Sequence, residues 1–391
     1  MEFSIYFEPV NTSITGSPEE LLPGSIGKVI NCYTDRDNFP VLENAQIAII
    51  GVPEDRNSVN NNGCAFAPDC IRRFLYRLSQ GNFNLDIVDL GNIKRGHSVK
   101  DTYIALSSTV SDLLKRNIVP IIIGGSHDIT YAQYRAYESL EQIINIVAID
   151  ARFDMGAVED ELNAESYLGK IILHQPNFLF NFSNIGYQSY FVDQTAIQLM
   201  SKLFFDIYRL GQVRENMEEV EPIVRNADML SFDISAIRQS DAPGNMNSSP
   251  NGFYGEEACQ IMRYAGLSEK LSSIGFYEIN PKMDRNDQTS HLTAQMIWYF
   301  IEGFNNRKTD NPLINKTDFL KYRVSLKDNQ YEIVFHKSNK SGRWWMEVPY
   351  LPKKGSKYER HHLVPCSYND YQTACNVEMP DRWWQAYQKL S

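Results

Sequence analysis

Polar residues able to bind a metal ion follow three apolar runs of this sequence, each at the point where the run stops. IVPIII is followed by GGSHD with His127 and Asp128, INIVAI by DARFD with Asp150 and Asp154, and MLSF by Asp233. One imidazole and several carboxylates suit a hard or borderline divalent ion, Mn²⁺ above all, with Zn²⁺ less expected. Any single aspartate here would more often cap a helix or turn. Together, after successive strands, these residues predict a metal site at one edge of a sheet.

The elements that would position these residues are β-rich runs alternating with longer amphipathic segments between about residues 46 and 307. This alternation predicts a parallel sheet covered by crossover helices. The predicted strands are AQIAIIG, IVPIIIGG, INIVAID, ADMLSFD and LSSIGFYEIN. The predicted helices are PDCIRRFLYRL, YIALSSTVSDLLKRN, ITYAQYRAYESLEQ, TAIQLMSKLFFDIYRLG, GEEACQIMRYAGL and SHLTAQMIWYFIEGF. Right-handed crossovers make the fold class α/β, with a doubly wound, mainly parallel sheet.

Changes in composition and hydrophobic pattern divide the chain into three predicted parts. Residues 1–45 are an irregular lead-in with room for one short helix, residues 46–307 the α/β domain, and residues 308–391 a C-terminal extension. In the extension, YRVSL and YEIVFHK flank KDNQ as a predicted hairpin, and RWWMEVPY is a further predicted strand. A last helix is predicted from about Pro380, since proline suits the first turn of a helix. The extension is thus expected to be β-rich with a helix.

Composition excludes several classes of protein. The net charge of −10 over 391 residues argues against binding to nucleic acid or to an anionic membrane, which needs a positive field. No apolar run approaches the roughly 20 residues that a membrane-spanning helix requires. The six cysteines form no C-x-x-C pair, and MEFSIYFEPV lacks the pattern of an export signal. We therefore expect a cytoplasmic protein with reduced thiols.

The ordered motifs between residues 46 and 300 resemble the ureohydrolase superfamily, which contains arginase, agmatinase and formimidoylglutamase. That family reads G-G-D-H-S, D-A-H-x-D and S-F-D-x-D-x-x-D-P after successive strands, where this chain has GGSHD, DARFD and SFDISAIRQ. GVPED, APDCIRR and YEINPKMD resemble further elements of the family. The resemblance implies an arginase-type fold and a homo-oligomer, and GVPED with APDCIRR favours the formimidoylglutamase subgroup.

The resemblance also implies a ligand set. Four residues fall on the family's ligands for the more buried of two Mn²⁺ ions: His127, Asp150, Asp154 and Asp233. The second ion needs a histidine and an aspartate where this chain has Arg152 and Ser235. We therefore expect one divalent ion, Mn²⁺, and the loss of the second site.

The charge of Arg152 suggests two positions for its side chain. One divalent ion and the guanidinium would together balance three carboxylates in a partly buried cleft, where uncompensated charge is costly. In that case Arg152 lies where the second ion is lost. Alternatively, Arg152 turns to solvent or pairs with Asp128, an acid at a position where the family has serine.

Catalysis in the family adds water to the trigonal carbon of a guanidinium or formimino group and releases an amine, with two ions acidifying the water. One ion beside Arg152 would acidify that water less strongly. The family's loop histidine falls at Leu168, with His174 as the nearest replacement, while Glu278 matches the carboxylate set against the substrate's guanidinium. Arg152 and Glu278 are therefore the candidate catalytic residues, in a substrate-binding or charge-balancing role.

Two main functions follow from these departures. The first is a catalytically silent or repurposed member that binds a protein partner or ligand. The alternative is a metal-dependent hydrolase of a formimino or guanidino C–N bond, acting on linear amidines with one ion and Arg152. A third class, a sensor of a small guanidino or formimino ligand, would keep Glu278 and the cleft without turnover.

Aromatic residues of the extension provide a candidate surface for a protein partner. Clustered tryptophan and tyrosine are typical of interface anchors. The residues are Trp344, Trp345, Trp383, Trp384, Tyr350, Tyr368, Tyr371 and Tyr387. The same aromatics equally suit packing of the extension onto its own core or a contact between subunits.

Overall fold

The computed structural model describes residues 3–157, 159–326, 331–350 and 356–390. Its centre is a mostly parallel sheet of ten strands within those residues. The strands are β1 (Phe7–Glu8), β2 (Asn31–Cys32), β3 (Ile47–Gly51), β4 (Ile87–Ile93), β5 (Val119–Ile123), β6 (Ile144–Ile149), β7 (Leu179–Tyr187), β8 (Asp206–Arg209), β9 (Met229–Asp233) and β10 (Ser273–Tyr277). The predicted fold class, a doubly wound α/β sheet, is confirmed.

Helices cover both faces of this sheet. They are α1 (Thr12–Thr15), α2 (Ala67–Leu75), α3 (Val99–Lys115), α4 (Ile129–Arg135), α5 (Tyr167–Leu173), α6 (Gln194–Lys202), α7 (Leu210–Glu215), α8 (Val220–Arg225), α9 (Gly255–Leu267) and α10 (Gln288–Asn305). Alternate side chains of β3 point to opposite faces. Ile47 and Ile49 pack in one apolar core with α2, α9 and α10, whereas Ala48 and Ile50 pack in another with α3 and α4.

The order of the strands positions the predicted metal residues. The sheet runs β1-β4-β3-β5-β10-β9-β6-β7-β8, with β2 also paired to β4. The adjacent strands β5, β10, β9 and β6 are all parallel, so their carboxyl ends meet at one edge. The polar residues that follow or end these four strands are thereby brought to one place, as expected for an open α/β sheet.

Several edge elements differ from the sequence predictions. The lead-in contains α1 and also supplies β1 and β2, and the strands β4, β7 and β8 were not predicted. The predicted single helix TAIQLMSKLFFDIYRLG is wrong, because the chain forms α6, then β8, then α7. Phe204, between α6 and β8, has a left-handed φ of 57°, which is incompatible with a continuing helix. Half-buried β8 lies at the sheet edge and lacks the apolar run that marks a central strand.

The C-terminal extension forms a second sheet with its own core. Its antiparallel strands are β11 (Phe319–Leu326), β12 (Tyr331–Ser338), β13 (Trp344–Glu347) and β14 (Leu363–Cys366), followed by α11 (Tyr368–Cys375) and α12 (Asp381–Leu390). The strands of the predicted hairpin, the strand in RWWMEVPY and the last helix are confirmed. The predicted turn KDNQ lies outside the described residues, and β14 and α11 were not predicted.

Two of the four tryptophans in the extension, Trp344 and Trp383, are buried in that core. Trp344 stacks on Tyr371 with ring centroids 4.9 Å apart, and Trp383 is 2% exposed. Trp384 and Tyr368, in contrast, are 46% and 54% exposed. Packing within the extension therefore accounts for the buried rings, while a partner surface remains a prediction that concerns Trp384 and Tyr368.

The extension docks at the amino ends of the main strands, away from the predicted metal residues. Arg360 donates to the carbonyl of Ile143, directly before β6, at 2.8 Å, and forms an ion pair with Asp228, directly before β9. Lys389 lies 3.0 Å from Asp206, the first residue of β8. Among the described residues no helix is long and apolar enough to cross a membrane.

Candidate metal centre

Four predicted ligands converge at the carboxyl edge of the main sheet. His127 lies in the loop after β5, Asp150 directly follows β6, Asp154 lies further along the same loop, and Asp233 ends β9. Each offers one donor atom, and these atoms all lie within 4.8 Å of one another in buried positions. Parallel strands thus bring together residues more than 100 positions apart in sequence.

The imidazole of His127 is held in a defined orientation. Its Nδ1 lies 3.0 Å from Asp154, 3.2 Å from Asp233 and 3.6 Å from Asp150. Its Nε2 lies 2.8 Å from the hydroxyl of Ser231. A hydrogen bond from Nε2–H to this hydroxyl leaves the Nδ1 lone pair facing the carboxylates, as a metal ligand requires.

Ser231 is a site residue that the sequence prediction missed. It lies two positions before Asp233 in β9, so both side chains point to the same face of the strand. Its hydroxyl also lies 2.7 Å from that of Thr130, which ties the arrangement to α4. The alternation of the strand was the available signal, because any polar residue two before a ligand shares its face.

Without an ion the cluster favours bound protons. Burial works against a charged His127, but hydrogen bonds with Asp154 and Asp233 outweigh it and raise the pKa of His127 well above its ordinary value. Burial, together with the charges of Asp154 and Asp233, raises the pKa of Asp150 well above its ordinary value. Three carboxylates thus crowd one imidazole where water is excluded, and a cation relieves this repulsion.

The chemistry of these donors fits a divalent ion. Oδ2 of Asp150 is buried and has no hydrogen-bond partner among the described residues. Such an atom is costly to bury unless something binds it. One imidazole nitrogen and three carboxylate oxygens form a compact set of the kind that Mn²⁺ accepts. His127, Asp150, Asp154 and Asp233 are therefore the residues that would hold the ion.

Arg152 does not lie among the carboxylates. Its guanidinium lies 3.3 Å from Glu165 and 4.9 Å from the ring centroid of Phe191, in a partly exposed position. Only its backbone N–H reaches the cluster, donating to Asp150 Oδ1 at 2.8 Å. The guanidinium therefore lies neither in place of the second ion nor against Asp128, and its partly exposed position agrees with the predicted alternative that Arg152 turns to solvent.

Ser235 lies at the other predicted position of the lost second site, where the resemblance requires an aspartate. Ser235 is buried, and its backbone N–H donates to Oδ1 of Asp233 at 2.6 Å. Neither Arg152 nor Ser235 offers the anionic oxygen that hard cations prefer, and the loss of a second site stays a prediction.

Glu278 contacts the metal centre through the backbone of His127. One carboxylate oxygen accepts from the backbone N–H of His127 at 2.8 Å, and the other from the side chain of Asn61 at 2.6 Å. Burial and the charge of Asp233 raise the pKa of Glu278 to about 8. Since both oxygens already accept hydrogen bonds, the contacts of Glu278 are those of a residue that positions His127.

Three further residues from the sequence analysis lie outside the cluster. Asp128 is buried and accepts a hydrogen bond from the hydroxyl of Tyr103, and burial raises the pKa of Asp128 to about 6. Leu168 lies in α5 and is buried in an apolar core. His174 has its Nδ1 3.0 Å from the Tyr131 hydroxyl, so its observed contact is structural.

A surface pocket of about 520 Å³ leads to the centre. It is lined by Arg152, Asp154, Glu165, Phe191, Asp193 and Thr195, among others. Asp154 is the only one of the four clustered residues on this wall. Burial, together with the charge of Asp154, raises the pKa of Glu165. The pocket therefore combines a ligand carboxylate, a carboxyl that retains its proton to higher pH, and a guanidinium.

Comparison with known proteins gives a consistent set of relatives. The profile of the arginase family matches residues 45–302. Formimidoylglutamase of Bacillus subtilis strain 168 is 25% identical over 284 residues, which cover 66% of this chain and 86% of that protein. The structure of Trypanosoma cruzi formiminoglutamase with Mn²⁺ superimposes with a TM-score of 0.64 at 20% identity, covering 73% of this chain and 99% of that one. The solved structure of B. subtilis formimidoylglutamase superimposes with a TM-score of 0.64 at 22% identity, covering 72% of this chain and 92% of that one.

Proposed function

The chain belongs to the arginase family, and we propose that it is a metal-dependent hydrolase that cleaves a C–N bond of a linear amidine. The observation that carries this proposal is the complete set of four buried donors, whose atoms lie within 4.8 Å of one another. A chain that had lost its chemistry would have no need to keep three carboxylates together at the cost of their mutual repulsion.

The proposed reaction is hydrolysis of a formimino group of the type R–NH–CH=NH. The oxygen of water bonds to the amidine carbon, and the bond from that carbon to the R–NH nitrogen breaks. This nitrogen takes up a proton, so the products are the amine R–NH₂ and formamide. A divalent ion, for which Mn²⁺ is our proposal, would supply Lewis acidity that polarises the amidine and acidifies the water.

The side chains of the pocket have separate roles in this reaction. Asp154 lies both in the cluster and on the pocket wall, so the scissile carbon is placed beside it. Glu165, whose pKa is raised, is the carboxyl best placed to give a proton to the departing nitrogen. Glu278 holds the backbone of His127 and thereby fixes the imidazole.

Arg152 favours a substrate with an acidic tail. Its guanidinium lines the pocket and is partly exposed, and its one ion pair, with Glu165, is 3.3 Å long. A carboxylate on the substrate would form a bidentate pair with this fork. We therefore place the substrate among formimino derivatives of acidic amino acids, as the names of the relatives suggest, and not among cationic guanidines.

The silent or repurposed protein that the sequence favoured is less well supported. Its argument rested on the replaced ligands of a second ion, at Arg152 and Ser235, and on Leu168 at the position of the family's loop histidine, whereas the four residues that would hold one ion lie together. The relatives reported above are formimidoylglutamases by name. The protein partner and the homo-oligomer stay predictions, as does binding to a ligand without turnover.

The test is an activity measurement on the full-length protein loaded with Mn²⁺. We expect formamide from N-formimidoyl-glutamate, and little urea or ammonia from arginine or agmatine. Asp154→Asn should abolish turnover, whereas Asp160→Asn, an exposed carboxylate of the same loop, should leave it unchanged. Turnover that survived Asp154→Asn would contradict the assigned site. A metal-loaded protein inactive on the whole panel would favour the silent reading.

A further inference from the structure

A second polar cavity lies between the main domain and the C-terminal extension. Its volume is about 50 Å³. Lys270, shortly before β10, contributes to the wall from the main domain. Arg343, Arg360 and Pro365 contribute from the extension. Because the extension docks at the amino ends of the strands, this cavity is at the opposite end of the sheet from the metal centre.

Four basic side chains line the cavity, and pairs of them share single carboxylates. Arg225 and Arg343 approach the same oxygen of Glu221, at 2.9 Å and 3.3 Å. Arg360 and Lys270 share Asp228, with Lys270 3.8 Å away. Each carboxylate is thus divided between two cations.

The acids on the cavity wall bond to neutral groups. Glu269 accepts from the backbone N–H of Asp310 at 3.0 Å, and the carboxylate of Asp310 accepts from the hydroxyl of Ser341. The cavity wall thus carries four cations and two carboxylates. The cations are Arg225, Lys270, Arg343 and Arg360, and the carboxylates are Glu269 and Asp310.

Arg225 leaves one donor unused at this wall. Its side chain is 5% exposed, its Nε donates to Glu221, and its Nη2 donates to the carbonyls of Trp344 and Cys366. Its Nη1 is buried and has no hydrogen-bond partner among the described residues. An unpaired donor on a buried cation leaves part of its charge uncompensated, which adds to the positive potential of the junction.

The titration of neighbouring groups agrees with a missing negative charge. Burial and the nearby Arg360 lower the pKa of Lys270 to about 8, even though Asp228 raises it. Burial and Arg343 lower the pKa of Arg307 to about 9. Burial, Lys270 and Arg360 also lower the pKa of His361 well below its ordinary value. An anion in the cavity would relieve the repulsion that these shifts reflect.

We propose that this junction is a binding site for a small tetrahedral oxyanion, which links the C-terminal extension to the main domain. The anion lies against the basic side chains of the cavity wall and offsets the charges of Arg225, Lys270, Arg343 and Arg360. One bound water needs on the order of 10–15 Å³ of such space, so the cavity holds about four oxygen atoms, the number in sulfate or phosphate. Its small volume favours a free oxyanion over the phosphate group of a larger molecule.

The experiment uses sulfate on the full-length protein, at constant ionic strength set with sodium chloride. We expect a saturable rise in Tm and a calorimetric binding signal, because an anion that binds only the folded chain stabilises it. Lys270→Gln and Arg343→Gln should each weaken binding about tenfold or more, since each removes a charged hydrogen-bond donor. Lys270→Arg, which keeps the charge, should retain binding if Lys270→Gln fails to fold.

Two control variants locate the effect. Arg323→Gln, an exposed arginine on β11 that pairs with Glu332, should bind sulfate as the wild type does. Asp154→Asn should also keep binding, because the metal centre is at the other end of the sheet. An equal rise in Tm in all variants would show a general salt effect and overturn the proposal, as would the absence of any rise beyond that in chloride.

A parallel titration with glycerol phosphate separates the two sources of a tetrahedral oxyanion. Binding of sulfate alone supports a site for a free ion. Binding of both, with the same loss in Arg343→Gln, supports a site that also admits a phosphate monoester. Failure of both, in a protein that still turns over an amidine, would overturn this proposal and leave the proposed function standing.

Discussion

Replacing Ser231 with alanine tests the orientation of the central imidazole. Ser231 is fully buried, and its hydroxyl is the partner of Nε2 of His127 at 2.8 Å. Alanine removes only that hydroxyl from a packed strand, so the change is confined to its hydrogen bonds with His127 and Thr130. The ring of His127 would then be held by the carboxylates at Nδ1 and by its contacts with Tyr167 and Tyr277, at centroid distances of 4.4 Å and 5.5 Å.

Ser231→Ala is expected to lower both the affinity for the metal ion and the free energy of unfolding. Outer partners of ligand histidines typically contribute about 10–100-fold to metal affinity, which corresponds to roughly 1.4–2.7 kcal/mol. The ion-free protein should also lose about 1–3 kcal/mol of unfolding free energy, because Nε2–H of His127 is left buried without an acceptor. The four ligands themselves are unchanged, so stoichiometric binding at high metal concentration should persist.

Metal affinity is best measured by competition with a chromophoric chelator, and stability by urea unfolding of the ion-free protein. Thr130→Val is the matched control, since Thr130 contacts the hydroxyl of Ser231 at 2.7 Å and not the imidazole. It should change the affinity by less than about threefold, as expected for a partner one step further away. If Ser231→Ala folded and bound Mn²⁺ as tightly as the wild type, His127 would not be the ligand that we assign.

Three further predictions concern the second ion, the response to pH and the docking of the extension. Arg152→His combined with Ser235→Asp should raise the bound Mn²⁺ from one to two equivalents, because the double variant restores the family's ligand types. The ion pair that it removes is partly exposed and contributes only roughly 0–1 kcal/mol. One equivalent by elemental analysis would contradict this prediction. The depressed pKa of His361 means that the unfolded chain binds more protons below about pH 6.5, so stability should fall by up to about 1.4 kcal/mol per pH unit from there downward. His361→Gln should remove this part of the slope in urea unfolding, whereas exposed His97→Gln should not, and identical slopes would show that the ring is already charged when folded. Arg360→Ala should lower the urea midpoint by the equivalent of roughly 1–3 kcal/mol, since the buried Asp228 then keeps one backbone hydrogen bond, from Asn145, and a lysine 3.8 Å away. An unchanged midpoint would mean that this pair does not hold the extension.

The central sheet was predictable because its strands are buried on both faces. Five apolar runs that end at Gly, Asp, Asn or Pro marked β3, β5, β6, β9 and β10, and these carry or adjoin the site. The edge strands β7 and β8 were missed because they are partly exposed or carry polar residues such as Asn181, so no uninterrupted apolar run signals them. Pairing with β4 also makes strands of two-residue segments in the lead-in, which no local pattern reveals.

The cluster itself was predictable for a similar reason, since its four members follow the best-marked strands. What the sequence could not give is the direction of a long side chain. Arg152 carries a charge that suits the cluster, yet Glu165 and Phe191, both later in the chain, supply a partner and a ring outside it. Neither residue belongs to a motif, so the sequence does not indicate that Arg152 contacts them and not the cluster.

The position of the extension has a consequence for how this chain can vary. Asp228 lies directly before β9 and Asp233 at its end, so five residue steps of extended backbone separate them by about 16 Å. Substitutions at such distances usually have independent effects on stability. Selection can therefore act on the attachment of the extension and on the arrangement of the cluster as two separate traits.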